Sequence, residues 1–231
     1  AHVPGLRLAA PRDEATLRES LRTAVSIDNA PTVVRYPKGA LPEPLTALRR
    51  LGSGEEDPGR REEAAHEDAQ PAPCAFDVVD VLLESLRPTG AARILLVGVG
   101  AMAAEAYEAG RLLQQEGRAV TVVHPHWVIP APAPLVAAAV DVVVVVEDGL
   151  VDGGIGSQLR DAVEEYQAAR SGTGGSPVFR RIGIPRRFVD TATRAQLMED
   201  FGMRAVDIAQ AARSAADGVA GARTDQDLGA E

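Results

Sequence analysis

The sequence predicts an α/β fold, a mostly parallel, doubly wound sheet preceded by a separate β-α-β piece. Three observations predict it. Residues 142–146 are five consecutive valines between polar residues, the mark of a strand buried on both faces. Over the carboxyl-terminal part, four apolar runs of this kind alternate with helical periodicities, the pattern of a parallel sheet wrapped by helices. Hydrophobic residues make up 45% of the chain and aromatics only 3%. The core must therefore be built from Val, Leu, Ile and Ala, which suits strands covered by alanine-rich helices.

Taken in order, residues 6–10 read as a strand ended by Pro11, and the chain starts without a methionine, as though internal to a longer protein. RDEATLRESLRTAVSID follows, with Leu17, Leu21 and Val25 every four residues, an amphipathic helix expected to bury that stripe. Residues 32–36 are a second short strand closed by Pro37 and Gly39, so residues 1–39 form one β-α-β unit. Such a unit cannot bury both faces and must dock on the rest of the chain or on a missing amino-terminal part. Residues 40–92 read as a linker, rich in proline, glycine and charge and partly disordered, with a short helix at 75–86. Proteolysis is expected to cut first between residues 53 and 73.

The second domain, 93–216, then alternates: a strand at 93–97, a GVG turn, a helix at 101–116 stopped by Gly117, a strand at 119–123, and an irregular HPHWVIP connection. A short helix at 134–139 precedes the valine strand, which ends in Glu147, Asp148 and a glycine turn before a helix beginning near Ser157. A strand at 177–182 and helices at 193–201 and 204–214 close the domain, and residues 217–231 read as a disordered tail.

Charge and cysteine count narrow the function. A net charge of -9 argues against nucleic-acid or anionic-membrane partners, and the longest apolar run is broken by prolines and Asp141, so no segment is expected to span a membrane. Cys74 is the single cysteine, which excludes an internal disulfide and fits a cytoplasmic protein. GVGAMA matches GxGxxA, but His124 stands where a dinucleotide site needs an acid, and a structural turn is the expected reading. His124 and His126 flank Pro125 without a cysteine or acid cluster, and no metal site is assigned. Glu147 and Asp148 are adjacent and so point to opposite sides; capping the turn is their expected work. Arg35 and Lys38 bracket Pro37 at the end of a strand, where a rigid turn can aim a cation at a phosphate, or simply leave two solvated charges.

Together, AAPRDEATLRESLRTAV, APTVVRYPKG, ILLVGVGAMA, VTVVHPHWVIP, VVVVEDGLVDGGIGSQL and IGIPRRFVD resemble, in order and spacing, the carboxyl-terminal part of the 1-deoxy-D-xylulose-5-phosphate synthase family. These are transketolase-like thiamine-diphosphate enzymes that condense pyruvate with glyceraldehyde 3-phosphate, releasing carbon dioxide, in the first step of non-mevalonate isoprenoid biosynthesis. The resemblance implies that residues 1–39 end a pyrimidine-binding domain and residues 93–216 are a transketolase carboxyl-terminal domain. It implies thiamine diphosphate and magnesium as cofactors, bound by motifs that lie upstream of Ala1, so no residue here is assigned to catalysis. It places Lys38, with Arg35, at the substrate phosphate. It also implies a homodimer, with Glu147, Asp148, Gly153, Gly154 and Gly156 at an interface or structural turn, where a side chain on Gly154 would meet the partner backbone. His124, His126 and Ile129 stand where the family carries an acid and two bases, and Asp190-Thr191 where it has Asp-His. Two roles follow: a fragment of such a synthase, inactive alone and without saturable thiamine-diphosphate binding, or a noncatalytic assembly subunit of a split transketolase-like enzyme that pairs with a complementing amino-terminal part.

Overall fold

A computed structural model describes residues 3–37, 42–52, 75–85, 91–169 and 176–228. Lys38, Cys74 and the segment expected to be cut first lie outside the described residues. Strands are β1 (Arg7–Ala9), β2 (Thr32–Val34), β3 (Arg49–Leu51), β4 (Val79–Glu84), β5 (Ile94–Val99), β6 (Val120–Pro125), β7 (Trp127–Ile129), β8 (Val142–Leu150) and β9 (Val178–Ile184). Helices are α1 (Glu14–Ser26), α2 (Ala103–Gln115), α3 (Ala133–Val136), α4 (Ile155–Ala169), α5 (Arg194–Asp200) and α6 (Ala205–Leu228).

The valine strand sits inside a six-stranded sheet of order β3-β4-β6-β5-β8-β9. Strands β6, β5, β8 and β9 run parallel, while β4 is antiparallel to β6 and β3 antiparallel to β4. Side chains alternate across the sheet. Val142, Val144 and Val146 join the core under α2 and α6, and Val143 and Val145 join the opposite core under α3 and α4. Both faces are covered, which is why an unbroken apolar run is tolerated.

The segment read as a linker contributes two of these strands. The helix expected at 75–86 is instead a single 3-10 turn, Ala75–Asp77, followed by β4. VDVLLE is buried from Val79 to Leu83 and so covered on both faces, and it pairs with β6 along its length, which makes it a strand rather than a helix. Its charged residue, Asp80, is fully buried because ion partners from elsewhere reach it. The tail expected to be disordered also differs: α6 continues through it to Leu228, in a sequence without proline, after Ala215 and Ala216 have packed the preceding turn on the core.

The amino-terminal unit forms a second sheet of order β2-β1-β7. Strand β1 is parallel to β2 and antiparallel to β7, which arises from the HPHWVIP stretch read as irregular. His126 is the hinge between the sheets, since its N–H donates to Val78 O at 3.0 Å while its carbonyl accepts from Ala10 N at 3.1 Å. Helix α1 is capped by Asp13, whose carboxylate accepts from Thr16 N at 2.9 Å in a capping box. The expected burial of α1 is inverted. Thr16, Ser20 and Ala24 face inward, whereas Leu21 and Val25 are 44% and 84% exposed.

Candidate functional site

Strands β5 and β8 are neighbours, but the helices that follow them, α2 and α4, cover opposite faces of the sheet. A doubly wound sheet opens a crevice at such a switch point, beyond the carboxyl ends of the strands. Here the crevice is a pocket of about 100 Å³, lined by Val99, Gly100 and Ala101 after β5, Asp148 on β8, and Arg35 and Tyr36 after β2. The small sheet thus supplies one wall. Gly100 takes φ +58° where the chain turns into α2. Gly98, two residues earlier on β5, lies so close to the helix that a Cβ would stand 2.5 Å from Ala103 Cα.

The Glu147 carboxylate lies beneath this rim. It is 3% exposed and accepts from Ile155 N and Gly156 N, each at 2.9 Å, so it caps α4 from a residue on the strand. Burial pushes its carboxyl above the ordinary range, against the pull of the two N–H groups and of the Arg35 and Arg181 charges. A Cβ on Gly154 would stand 2.1 Å from Leu150 O and 2.5 Å from Glu147 Oε2, and Gly153 takes φ +79°. Glycine at 154 is therefore required by the chain's own backbone and capping carboxylate, whether or not a partner packs against the turn. Asp148 points the other way, into the pocket, and pairs with Arg194, which also reaches Met102 Sδ.

Arg35, expected at a phosphate, and Glu147 and Asp148, expected at a turn, are brought together. A Cβ on Gly149 would lie 3.0 Å from Glu147 Oε2 and 3.6 Å from Arg35 Nη1, so the guanidinium stands across the turn from the carboxylate. Sequence reasoning missed Tyr36, which lines the pocket, and Arg194, which pairs with Asp148 at its wall; only the tertiary fold delivers them there.

It also missed a buried ionic cluster between the two sheets. Asp80 accepts from Arg12 Nη1 at 2.6 Å, Arg50 Nε at 2.8 Å and His126 Nε2 at 2.8 Å. Burial alone would raise its carboxyl, but these three donors outweigh burial and hold it well below the usual range. The signal was an aspartate inside an otherwise apolar strand run, which a core admits only with partners. His124 is also fully buried, with Nδ1 3.1 Å from Gly98 O. A carbonyl only accepts, so Nδ1 carries the proton. Burial, then the Arg12 and His126 charges, push its pKa down to about 3, and the ring is neutral.

Among the described residues, no group of three or more His, Cys, Asp or Glu is placed to hold a metal ion. No helix among them is long and apolar enough to cross a membrane.

A two-faced, mostly parallel sheet with a switch-point crevice defines a doubly wound α/β domain. The family described as transketolase, C-terminal domain, matches residues 85–208, and the chain belongs to it. It is similar to the carboxyl-terminal part of 1-deoxy-D-xylulose-5-phosphate synthase: 38% identical over 206 residues to that of Corynebacterium glutamicum strain R, covering 88% of this chain and 28% of the relative. Against that of Kocuria rhizophila, identity is 41% over 214 residues, covering 90% of this chain and 27% of the relative. The chain thus spans little more than a quarter of the length of these relatives. Among solved structures it resembles a split gene transketolase described as an inactive β4 tetramer, with TM-score 0.64 and 21% identity, covering 94% of this chain and 58% of the other. That likeness is one of fold.

Proposed function

We propose that this chain supplies the carboxyl-terminal part of a 1-deoxy-D-xylulose-5-phosphate synthase. The observation that carries the reading is identity of 38–41% to such enzymes over about nine-tenths of the chain. In this reading the complete enzyme condenses pyruvate with glyceraldehyde 3-phosphate in the cytoplasm, as a homodimer, for isoprenoid and thiamine biosynthesis. Thiamine diphosphate and magnesium are held by an amino-terminal part, and residues 1–39 finish its pyrimidine-binding domain. Arg35 and Lys38 hold the substrate phosphate. The exposed Arg35 guanidinium on the rim of the crevice supports this role, since its fork suits phosphate oxygens.

A second reading is a noncatalytic assembly subunit of a split transketolase-like enzyme, supported by the split-gene relative of like fold. Both readings need a complementing amino-terminal part. Mixing the chain with the amino-terminal part of the Corynebacterium glutamicum relative and following carbon dioxide release from pyruvate and glyceraldehyde 3-phosphate tests them. Activity in the mixture, absent from either part alone and reduced by Arg35→Ala, is expected for the synthase. Association without turnover would favour the assembly subunit.

A further inference from the structure

We infer that Glu147 sets the affinity of the crevice for anions: its buried carboxylate competes with a bound phosphate for the Arg35 guanidinium, so that occupancy of the crevice and the cap of α4 are linked. The inference rests on the reading that Arg35 holds the substrate phosphate, and it adds a third group to that contact.

Near its carboxyl end β8 carries two carboxylates with different work. Asp148 lines the crevice and is neutralised by Arg194 from α5. Glu147 points the other way, is 3% exposed, and gives one oxygen to Ile155 N and the other to Gly156 N. Those donors are neutral, so the carboxylate keeps its charge after burial has stripped it of water. Two cations face it, Arg35 from the segment after β2 and Arg181 from β9. Arg181 is tied down: it donates to Val151 O at 2.9 Å and Ser157 Oγ at 2.5 Å, and lies 3.7 Å from Asp152. Arg35 is not. Among the described residues its guanidinium makes no ion pair, and it stands exposed at the crevice wall.

The two charges meet at Gly149. A Cβ there would lie 3.0 Å from Glu147 Oε2 and 3.6 Å from Arg35 Nη1, so both groups border the space that the glycine leaves open. Burial pushes the Glu147 carboxyl up, and after the two N–H groups the Arg35 and Arg181 charges pull against it. An arginine held in this way is drawn toward the protein while its N–H donors stay uncommitted. A phosphate on Arg35 is then a second anion on one cation. It takes part of the attraction that keeps Glu147 ionised and adds repulsion of its own, so the hold of the carboxylate on Ile155 N and Gly156 N slackens. By linkage the effect is reciprocal, and protonating Glu147 tightens anion binding by the same factor. In the proposed condensation the phosphate passes from substrate into product, and a tempered grip lets the product leave.

The test titrates sulfate into the full 231-residue chain, Glu147→Gln and Arg35→Ala, following backbone amide resonances by NMR and recording thermal unfolding of each. Sulfate is the probe because it keeps both charges over the range used, whereas a phosphate gains a proton near neutrality. The parent is expected to bind saturably, with Gly100 and Ala101 at the crevice and Ile155 and Gly156 at the cap shifting at one midpoint. Its affinity should rise about fivefold as the pH falls from about 8 to about 5. Glu147→Gln should bind about fivefold more tightly than the parent at the upper pH and lose the trend, and Arg35→Ala should not bind. Movement of Gly100 and Ala101 alone, with affinity independent of pH and unchanged in Glu147→Gln, would overturn the competition and leave Arg35 at the phosphate. Binding that survives Arg35→Ala, or none by the parent, would overturn both. The parent's Ile155 and Gly156 resonances and its pH series decide the matter even where Glu147→Gln fails to fold.

Discussion

The six-stranded sheet and the three-stranded unit stabilise themselves in different ways. In the larger sheet, alternate valines of β8 enter two separate cores, each roofed by helices, and those valines need nothing but apolar neighbours. In the smaller one, α1 turns small residues inward, the apolar cluster comprises Ala9, Ala24 and Trp127 with a few partly buried neighbours, and a fully buried carboxylate holds the unit to the rest. Burial of apolar surface is additive and undirected, roughly 25 cal/mol per Å². An ion cluster is directional and depends on every member, so the small unit is positioned accurately but at the mercy of single groups.

The largest effect is expected where the two regions meet. Asp80→Ala takes from the buried Arg12 one of its two carboxylate partners, leaving Asp13, strips Arg50 and His126 of theirs in the cluster, and should cost about 3–5 kcal/mol in urea denaturation. Faster hydrogen exchange should appear first in β1 and β7. A loss below about 1 kcal/mol would mean that packing, not charge, joins the sheets.

Gly154→Val tests the opposite region. It drives a side chain into Leu150 O and the Glu147 carboxylate and should destabilise the chain by about 3 kcal/mol, whether or not a partner is present. Normal thermal unfolding with lost association would return this turn to an interface.

A shift of pH should separate the regions by about 2 kcal/mol. His124 has its pKa lowered from 6.5 to about 3, so below pH 6.5 the unfolded chain binds more protons than the folded one and stability falls with pH. From pH 7 to pH 5 the loss is about 2 kcal/mol, and it is fully absent only above 6.5. Glu147, raised by burial above 4.5, runs the other way in the lower part of this window and trims the slope. Asp80 and Asp13, both lowered from 3.8, act only in stronger acid. His124→Leu should flatten the dependence between pH 5 and 7, as read from denaturation midpoints at each pH.

The smallest effect belongs to the exposed flank of α1 in the smaller unit. Val25→Ala, at a side chain 84% exposed, should change the stability of the isolated chain by less than about 0.5 kcal/mol. A larger loss would show that the flank is already covered in solution.

Periodicity and composition by themselves determined the β-α-β start, the four parallel strands and the helices between them, because strands covered on both faces must be apolar along their whole length and 142–146 satisfies that visibly. The glycine turn after Asp148 was legible for the same kind of local reason, since the chain must reverse within a few residues. Tertiary structure decided the rest. Whether residues 79–84 become a strand depended on partners for Asp80 that lie 68 and 30 residues away in sequence. HPHWVIP became a junction because β1 offered it an edge, and which side of α1 is buried depended on what stands beside it. Arg35, Tyr36 and Asp148 share a crevice only because two sheets meet there. Local pattern records what each segment can bury; which surfaces meet is settled by long-range contacts that no short window of sequence contains.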